Sequence, residues 1–243
     1  MEGQWIKQRW NEALDLLYPR WCAGCGKWDE DLCAQCREEF AGWVDVSAHL
    51  PYLSQVTDEL RPAFPVHALA NYTGAVAAAI VSWKNMADRR MDRAFCDVIS
   101  SHPPPKLPGT VVVPAPSSPH RSRQGRFVAG VIASAIADLY GLEVANVLRR
   151  PRGAALPRVL AGAAKIRPAS MQARGRKAYG IRCIRADMRG QEVVLVDDVV
   201  TTGATLAGAS RAVKSCGGLV RGAFVIAAAK DPRQMNADAH TVT

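Results

Sequence analysis

Val193-Val194-Leu195-Val196-Asp197-Asp198-Val199-Val200-Thr201-Thr202-Gly203-Ala204-Thr205 decides how this 243-residue chain folds. Four successive aliphatic residues read as a strand buried on both faces, the mark of a parallel sheet, and the Thr/Gly turn after them reads as the start of a helix. Asp197 and Asp198 are placed at the carboxyl end of that strand. Two adjacent carboxylates repel one another and need a compensating partner, so a plain capped turn is a poor account of them. A phosphoryl-accepting receiver domain also carries an acidic pair at a strand end. Only 45 residues follow Asp198, too few for the rest of such a domain.

The chemistry of the run fits a ligand with two different ends. Amides at the turn and at the first turn of the next helix have no helical partner, and with the positive end of the helix dipole they suit a phosphate monoester. The phosphate-binding set is Thr201, Thr202, Gly203, Ala204 and Thr205, with threonine hydroxyls as added donors and Gly203 free to take positive φ. Asp197 and Asp198 would repel that phosphate. They are good acceptors for vicinal hydroxyls and good partners for the water shell of Mg²⁺.

Near the N-terminus lies a second pattern, Cys22-Ala23-Gly24-Cys25 followed seven residues later by Cys33-Ala34-Gln35-Cys36. Two Cys-x-x-Cys knuckles at this spacing bring four thiolates to one tetrahedral Zn²⁺, with Gly24 and Gly26 allowing the tight turns. The metal set Cys22, Cys25, Cys33 and Cys36 holds no histidine and leaves no open position, so the zinc is expected to be structural. Cys96, Cys183 and Cys216 have no spacing partner and read as small core residues.

Between these landmarks the chain reads as α/β, with a mostly parallel sheet flanked by helices. Residues 1–17 carry an apolar stripe at helical spacing, which packs on the body or meets a partner or a membrane surface. A polar, proline-containing connector spans 44–65, then a strand over Val66–Tyr72 and a helix over Gly74–Met86. Lys84 near that helix end reads as a solvated lysine. A linker from Ser101 to Gly109 leads to the strand-loop Val111 to Pro116, and the apolar helix Phe127–Tyr140 is stopped by Gly141. The Arg/Gly-rich stretch 149–190 has the composition of a basic hood over a ligand. A helix from Gly203 to Cys216 and a strand over Ala223–Ala229 follow, with a polar tail to Thr243. The expected division is a helix and zinc module over 1–43, a connector over 44–65, a main domain over 66–229 and a flexible tail over 230–243.

Hydrophobic residues make up 49% of the chain, enough for one sizeable core. No apolar stretch is long enough to span a bilayer, and Met1 to Asp15 is too charged for a signal peptide, so a cytoplasmic protein is expected. The net charge of +9 is concentrated. Residues 111–190 hold fifteen lysines and arginines against three acidic residues, a net +12, and the remainder nets −3. Such a field attracts pyrophosphate, nucleotides or a nucleic-acid backbone without distinguishing them.

Val193 to Thr205 matches at every position the phosphoribosyl-pyrophosphate (PRPP) motif of type I phosphoribosyltransferases. Together with the four cysteines, the chain resembles the ComF family (ComF/GntX) over about residues 18–229. The resemblance implies a type I phosphoribosyltransferase-like fold with a small, four-cysteine, zinc-ribbon-like module. It implies PRPP as ligand with Mg²⁺, Asp197 and Asp198 as the catalytic carboxylates, Lys84 as a residue that reaches the ligand, and a pyrophosphate loop drawn from Pro114, Ala115, Pro116, Arg121, Arg123 and Arg126. Where the family usually has Arg-Gly-Phe-Asn-Gln this chain has Gln124-Gly125-Arg126-Phe127-Val128, and Arg176-Lys177-Ala178-Tyr179 lacks the asparagine of the family's Arg-x-x-Asn element. The implied function is phosphoribosyl transfer to a nitrogenous acceptor, with a role in DNA uptake (competence) beside single-stranded DNA and a helicase. The alternative is a non-enzymatic PRPP sensor or a DNA- or helicase-interacting competence factor.

Overall fold

A computed structural model describes residues 20–54, 62–86, 89–117, 126–150, 180–185 and 187–229. The expected N-terminal helix, Arg121 and Arg123, most of the basic hood and the tail lie outside these residues. The described elements are α1 (Ala34–Glu38), β1 (Val44–Asp45), a 3₁₀ turn (Ser47–His49), α2 (Pro51–Ser54), β2 (Val66–Asn71), α3 (Gly74–Asn85), α4 (Arg89–Ser101), β3 (Val111–Pro114), α5 (Val128–Tyr140), β4 (Glu143–Val144), β5 (Leu148–Arg149), β6 (Arg182–Cys183), β7 (Glu192–Val200), α6 (Ala204–Ser215) and β8 (Leu219–Ala228).

Six strands form one sheet in the order β1-β2-β8-β7-β3-β4, parallel throughout except for the antiparallel edge pair β1–β2. This is the mostly parallel α/β sheet expected from the aliphatic runs. Side chains alternate along β7, and the alternation divides the core. Val194 and Val196 join the apolar cluster under α3, α4 and α5, whereas Val193 and Leu195 join the one under α6. Among the described residues, no helix is long and apolar enough to cross a membrane.

β7 runs on to Val200, so Asp197 and Asp198 lie inside the strand, three and two residues before its end. What opens there is the neighbouring strand. β3 pairs with β7 only from Val111↔Val193 to Pro114↔Val196, and then the Pro114-Ala115-Pro116 run leaves the sheet after one further bond, Ala115 N–H to Val196 O at 2.7 Å. A proline has no amide to continue the ladder. On the other side β7 stays paired with β8 as far as Val200↔Ala228. The cleft is the missing continuation of β3.

Two further departures from the sequence reading concern packing. Residues 44–54 are built into the domain: β1 extends the sheet, and Leu50 and Leu53 are buried in the cluster that holds Val66, Leu195 and Leu206. Residues 89–100, unassigned in the sequence reading, form α4 together with Ser101, the expected start of the linker, and α4 buries Met91, Ala94, Phe95, Val98 and Ile99. The four-cysteine module shares this core, because Cys22, Cys33, Cys36 and Phe40 belong to the cluster that holds Trp83 and Phe95. Cys96, Cys183 and Cys216 are only partly buried, each at the margin of a cluster.

Gly203 joins fold to cleft. It caps α6 with φ +77°, and a Cβ there would lie 3.2 Å from the Leu50 Cβ and 3.3 Å from the Leu53 Cγ. Gly203→Ala is expected to cost about 1–2 kcal/mol of stability, read as a lowered urea midpoint with an unchanged slope.

Candidate functional site

The cleft beyond β3 holds two adjoining cavities. The larger, about 320 Å³, is lined by residues that include Tyr72, Lys84, Ala115, Pro116, Arg126 and Arg150, with Asp197 and Asp198 in one wall. The smaller, about 160 Å³, is formed by Val199 to Leu206 together with Arg150 and Asp197. Its floor is the turn into α6, whose first intrahelical bond runs from the Ala207 N–H to the Gly203 O at 2.9 Å. The amides of Ala204 to Leu206 precede that bond and point out of the helix start, the arrangement that suits a phosphate. Thr201, Thr202, Gly203, Ala204 and Thr205 all line this cup. Thr202 is buried, and its carbonyl accepts the Tyr52 N–H at 3.1 Å, which ties the turn to α2.

Adjacent strand residues face opposite sides of a sheet, and this gives the two carboxylates different surroundings. Asp198 faces α3, where its Oδ1 pairs with the Lys84 Nζ at 2.9 Å; both side chains are 16% exposed. Asp197 reaches the α6 side and borders both cavities. Each carboxylate also accepts the next backbone amide, Asp198 N–H to Asp197 Oδ1 at 2.9 Å and Val199 N–H to Asp198 Oδ1 at 2.7 Å. Withdrawal from water, followed by the negative charge of Asp198, raises the Asp197 pKa to about 7. The Asp198 amide and the charges of Lys84 and Arg150 oppose that rise.

Lys84 is therefore not a solvated helix-end lysine; it compensates the acidic pair. Arg150 reads in the sequence only as part of a basic stretch, yet it stands between the two cavities. Its Nε donates to the Pro116 carbonyl at 3.0 Å, and its Nη2 lies 3.5 Å from the Thr205 Oγ1. Tyr72, just past the end of β2, carries no distinguishing signal in the sequence and lines the larger cavity. Pro114, Ala115 and Pro116 are buried where β3 ends. Arg126 is 7% exposed in the cavity wall, with its Nη2 donating to the Trp83 carbonyl and 3.5 Å from the Asp92 Oδ1.

The four cysteines converge as their spacing requires. Their sulfurs all lie within 4.8 Å of one another, against an edge of roughly 3.8 Å for four sulfurs around zinc at ~2.3 Å. The fit extends to the groups around the sulfurs. The Cys33 N–H donates to the Cys22 Sγ at 3.3 Å, and although burial pushes the Cys22 thiol up, backbone amides of Cys33, Cys25 and Gly24 bring its pKa down to about 6. A Cβ on Gly24 would come within 2.8 Å of the Cys36 Sγ, so the knuckle needs glycine there. These residues fit a structural Zn²⁺ with no position left for a substrate.

The mostly parallel sheet thus carries at one cleft a cup of helix-start amides with an acidic pair beside it. Residues 123–243 match the family model described as phosphoribosyl transferase domain. Among curated proteins, 101 residues are 38% identical to orotate phosphoribosyltransferase of Methanothermobacter thermautotrophicus, covering 41% of this chain and 56% of that protein. Another 83-residue match is 41% identical to orotate phosphoribosyltransferase of Methanopyrus kandleri, covering 33% of this chain and 45% of that one. The chain thus spans about half the length of these relatives. Adenine phosphoribosyltransferase of Leishmania donovani is a solved structure similar over 88% of this chain and 75% of its own, at 15% identity and a TM-score of 0.35. The chain is thus similar to phosphoribosyltransferases over its C-terminal part.

Two measurements probe these sites. A carboxyl whose folded pKa lies above its unfolded value favours the folded state only while protonated, so its contribution is lost as pH rises from about 4 through about 7. Asp197→Asn should therefore match the wild type in stability near pH 4 and exceed it at pH 8 by on the order of 1–3 kcal/mol, read from urea titrations at both pH values. Elemental analysis should find one zinc per chain, lost in Cys36→Ser, and chelation should lower the thermal midpoint of the whole domain because the module shares its core.

Proposed function

We propose that the cleft binds PRPP with Mg²⁺ and transfers its phosphoribosyl group to a nitrogenous acceptor. The observation that carries this reading is Asp197, which borders both cavities: a phosphate cup on one side and, on the other, a larger chamber with room for pyrophosphate and acceptor. The 5′-phosphate sits on Thr201 to Thr205. Asp197 and Asp198 accept from the ribose hydroxyls, and the pyrophosphate lies toward Pro114–Pro116 and Arg150. Arg121 and Arg123, beyond Ser117, are further candidates for that anion. The C1–oxygen bond breaks with its electron pair leaving on pyrophosphate, the acceptor nitrogen bonds to C1, and the acceptor gives up a proton. Mg²⁺ would be held by PRPP oxygens beside the two aspartates and would supply positive charge to the leaving group. The protein's share is positioning and electrostatics: carboxylates that fix the ribose and guanidinium groups that hold the departing anion.

A ComF-type role in DNA uptake rests on the sequence resemblance, supported physically by the +12 charge of residues 111–190. Oligonucleotide affinity that falls steeply with salt and ignores Mg²⁺-PRPP would favour that role as a non-enzymatic one.

Calorimetric titration of Mg²⁺-PRPP into zinc-replete protein is expected to give a Kd of roughly micromolar order, weakened about 100-fold or more in Asp197→Asn/Asp198→Asn. An absence of heat with the wild type would overturn the PRPP reading.

A further inference from the structure

The Lys84–Asp198 ion pair is held from outside the cleft. Lys84 sits in the last turn of α3, where helix carbonyls lack intrahelical partners. The carbonyl of the preceding residue, Trp83, accepts the Arg126 Nη2, which caps the helix end with a positive charge. The other polar group of the same residue, the Trp83 Nε1–H, donates to the Asp92 Oδ1 at 2.6 Å. Asp92 and Arg126 are themselves 3.5 Å apart, which closes a triangle between α3, α4 and the start of α5. The Trp83 ring is fully buried and stacks on Phe95 at 3.9 Å with 9° between the planes, and Phe95 meets Phe40 of the four-cysteine module edge-on at 5.8 Å. Backbone carbonyl, indole N–H and ring face of one residue are each fixed by a different partner.

The geometry points to Asp92 and Arg126 as positioning residues that, through Trp83, set Lys84 against Asp198 and so shape the ribose end of the cleft. Neither is a catalytic residue in this scheme. The buried guanidinium of Arg126 is engaged by the Trp83 carbonyl and Asp92, and Asp92 stands on α4, outside the lining of both cavities. The inference deepens the PRPP reading and rests on it for the ligand, but its central claim about Lys84 is testable without ligand.

The test combines lysine labelling with a double-mutant cycle. In ligand-free protein treated with limiting acetic anhydride, Lys84 should react slowly beside the exposed Lys27, Lys106 and Lys214. Asp92→Asn should speed Lys84 several-fold and leave those three unchanged. Trp83→Phe removes the indole N–H and keeps the aromatic stack, so it should do the same even if Asp92→Asn folds poorly. Mg²⁺-PRPP affinity should fall about tenfold in Asp92→Asn, yet show no further fall when Asp92→Asn is added to Lys84→Met. Unchanged Lys84 labelling in both single variants, or an equal loss of affinity with and without Lys84, would overturn the inference. A wild type that ignores PRPP would sink the ligand reading, and the labelling result would then decide the positioning claim alone.

Discussion

Two carboxylates next to each other on a buried parallel strand must be compensated, and much of this molecule is arranged to do so. The alternation of β7 sends Asp198 toward α3, where Lys84 pairs with it at 2.9 Å, and Asp197 toward α6, where hydrogen bonding and positive charge relieve it only in part. The pKa of Asp197, near 7, marks a site kept in tension in the free protein.

The compensation reaches far along the chain. Lys84 depends on the end of α3, that end on Trp83, and Trp83 on Phe95, which Phe40 braces from the four-cysteine module. The module is too small for a core of its own and enters the main one through Cys22, Cys33, Cys36 and Phe40. Four thiolates around a metal would thus stiffen the wall of a cleft with which they share no residue. On the far side, Arg150 follows β5, whose antiparallel partner β6 returns the chain, and spans from the Pro116 carbonyl to Thr205. Proline termination of β3 makes the room that Lys84, Arg150 and Thr205 line.

Legibility varies with the range of the interaction. Helix α5 and its Gly141 stop, with φ +64°, follow from local rules, as do α3 and the cap of α6 at Gly203. The α4 helix is legible too: Met91, Ala94, Phe95, Val98 and Ile99 recur at helical spacing, but the neighbouring charges hide them. Residues 44–54 look polar and proline-containing locally, and only the sheet edge and the Leu50 and Leu53 contacts make them part of the domain. The long β7 reads short in the sequence because two aspartates interrupt its aliphatic run, while pairing with β8 carries it to Val200.

By itself the sequence determined the parallel strand, the Thr/Gly turn into α6 and the four-cysteine array, because each is written within about a dozen contiguous residues and governed by short-range stereochemistry. Only the tertiary structure decided which aspartate meets which charge. Lys84 lies more than a hundred positions before Asp198, and Arg150 more than fifty before Thr205. Such pairs are joined by the register of a sheet and the packing of helices on it, which no local pattern encodes. The same holds for the Asp92–Trp83–Arg126 triangle, where residues of three elements meet around one tryptophan.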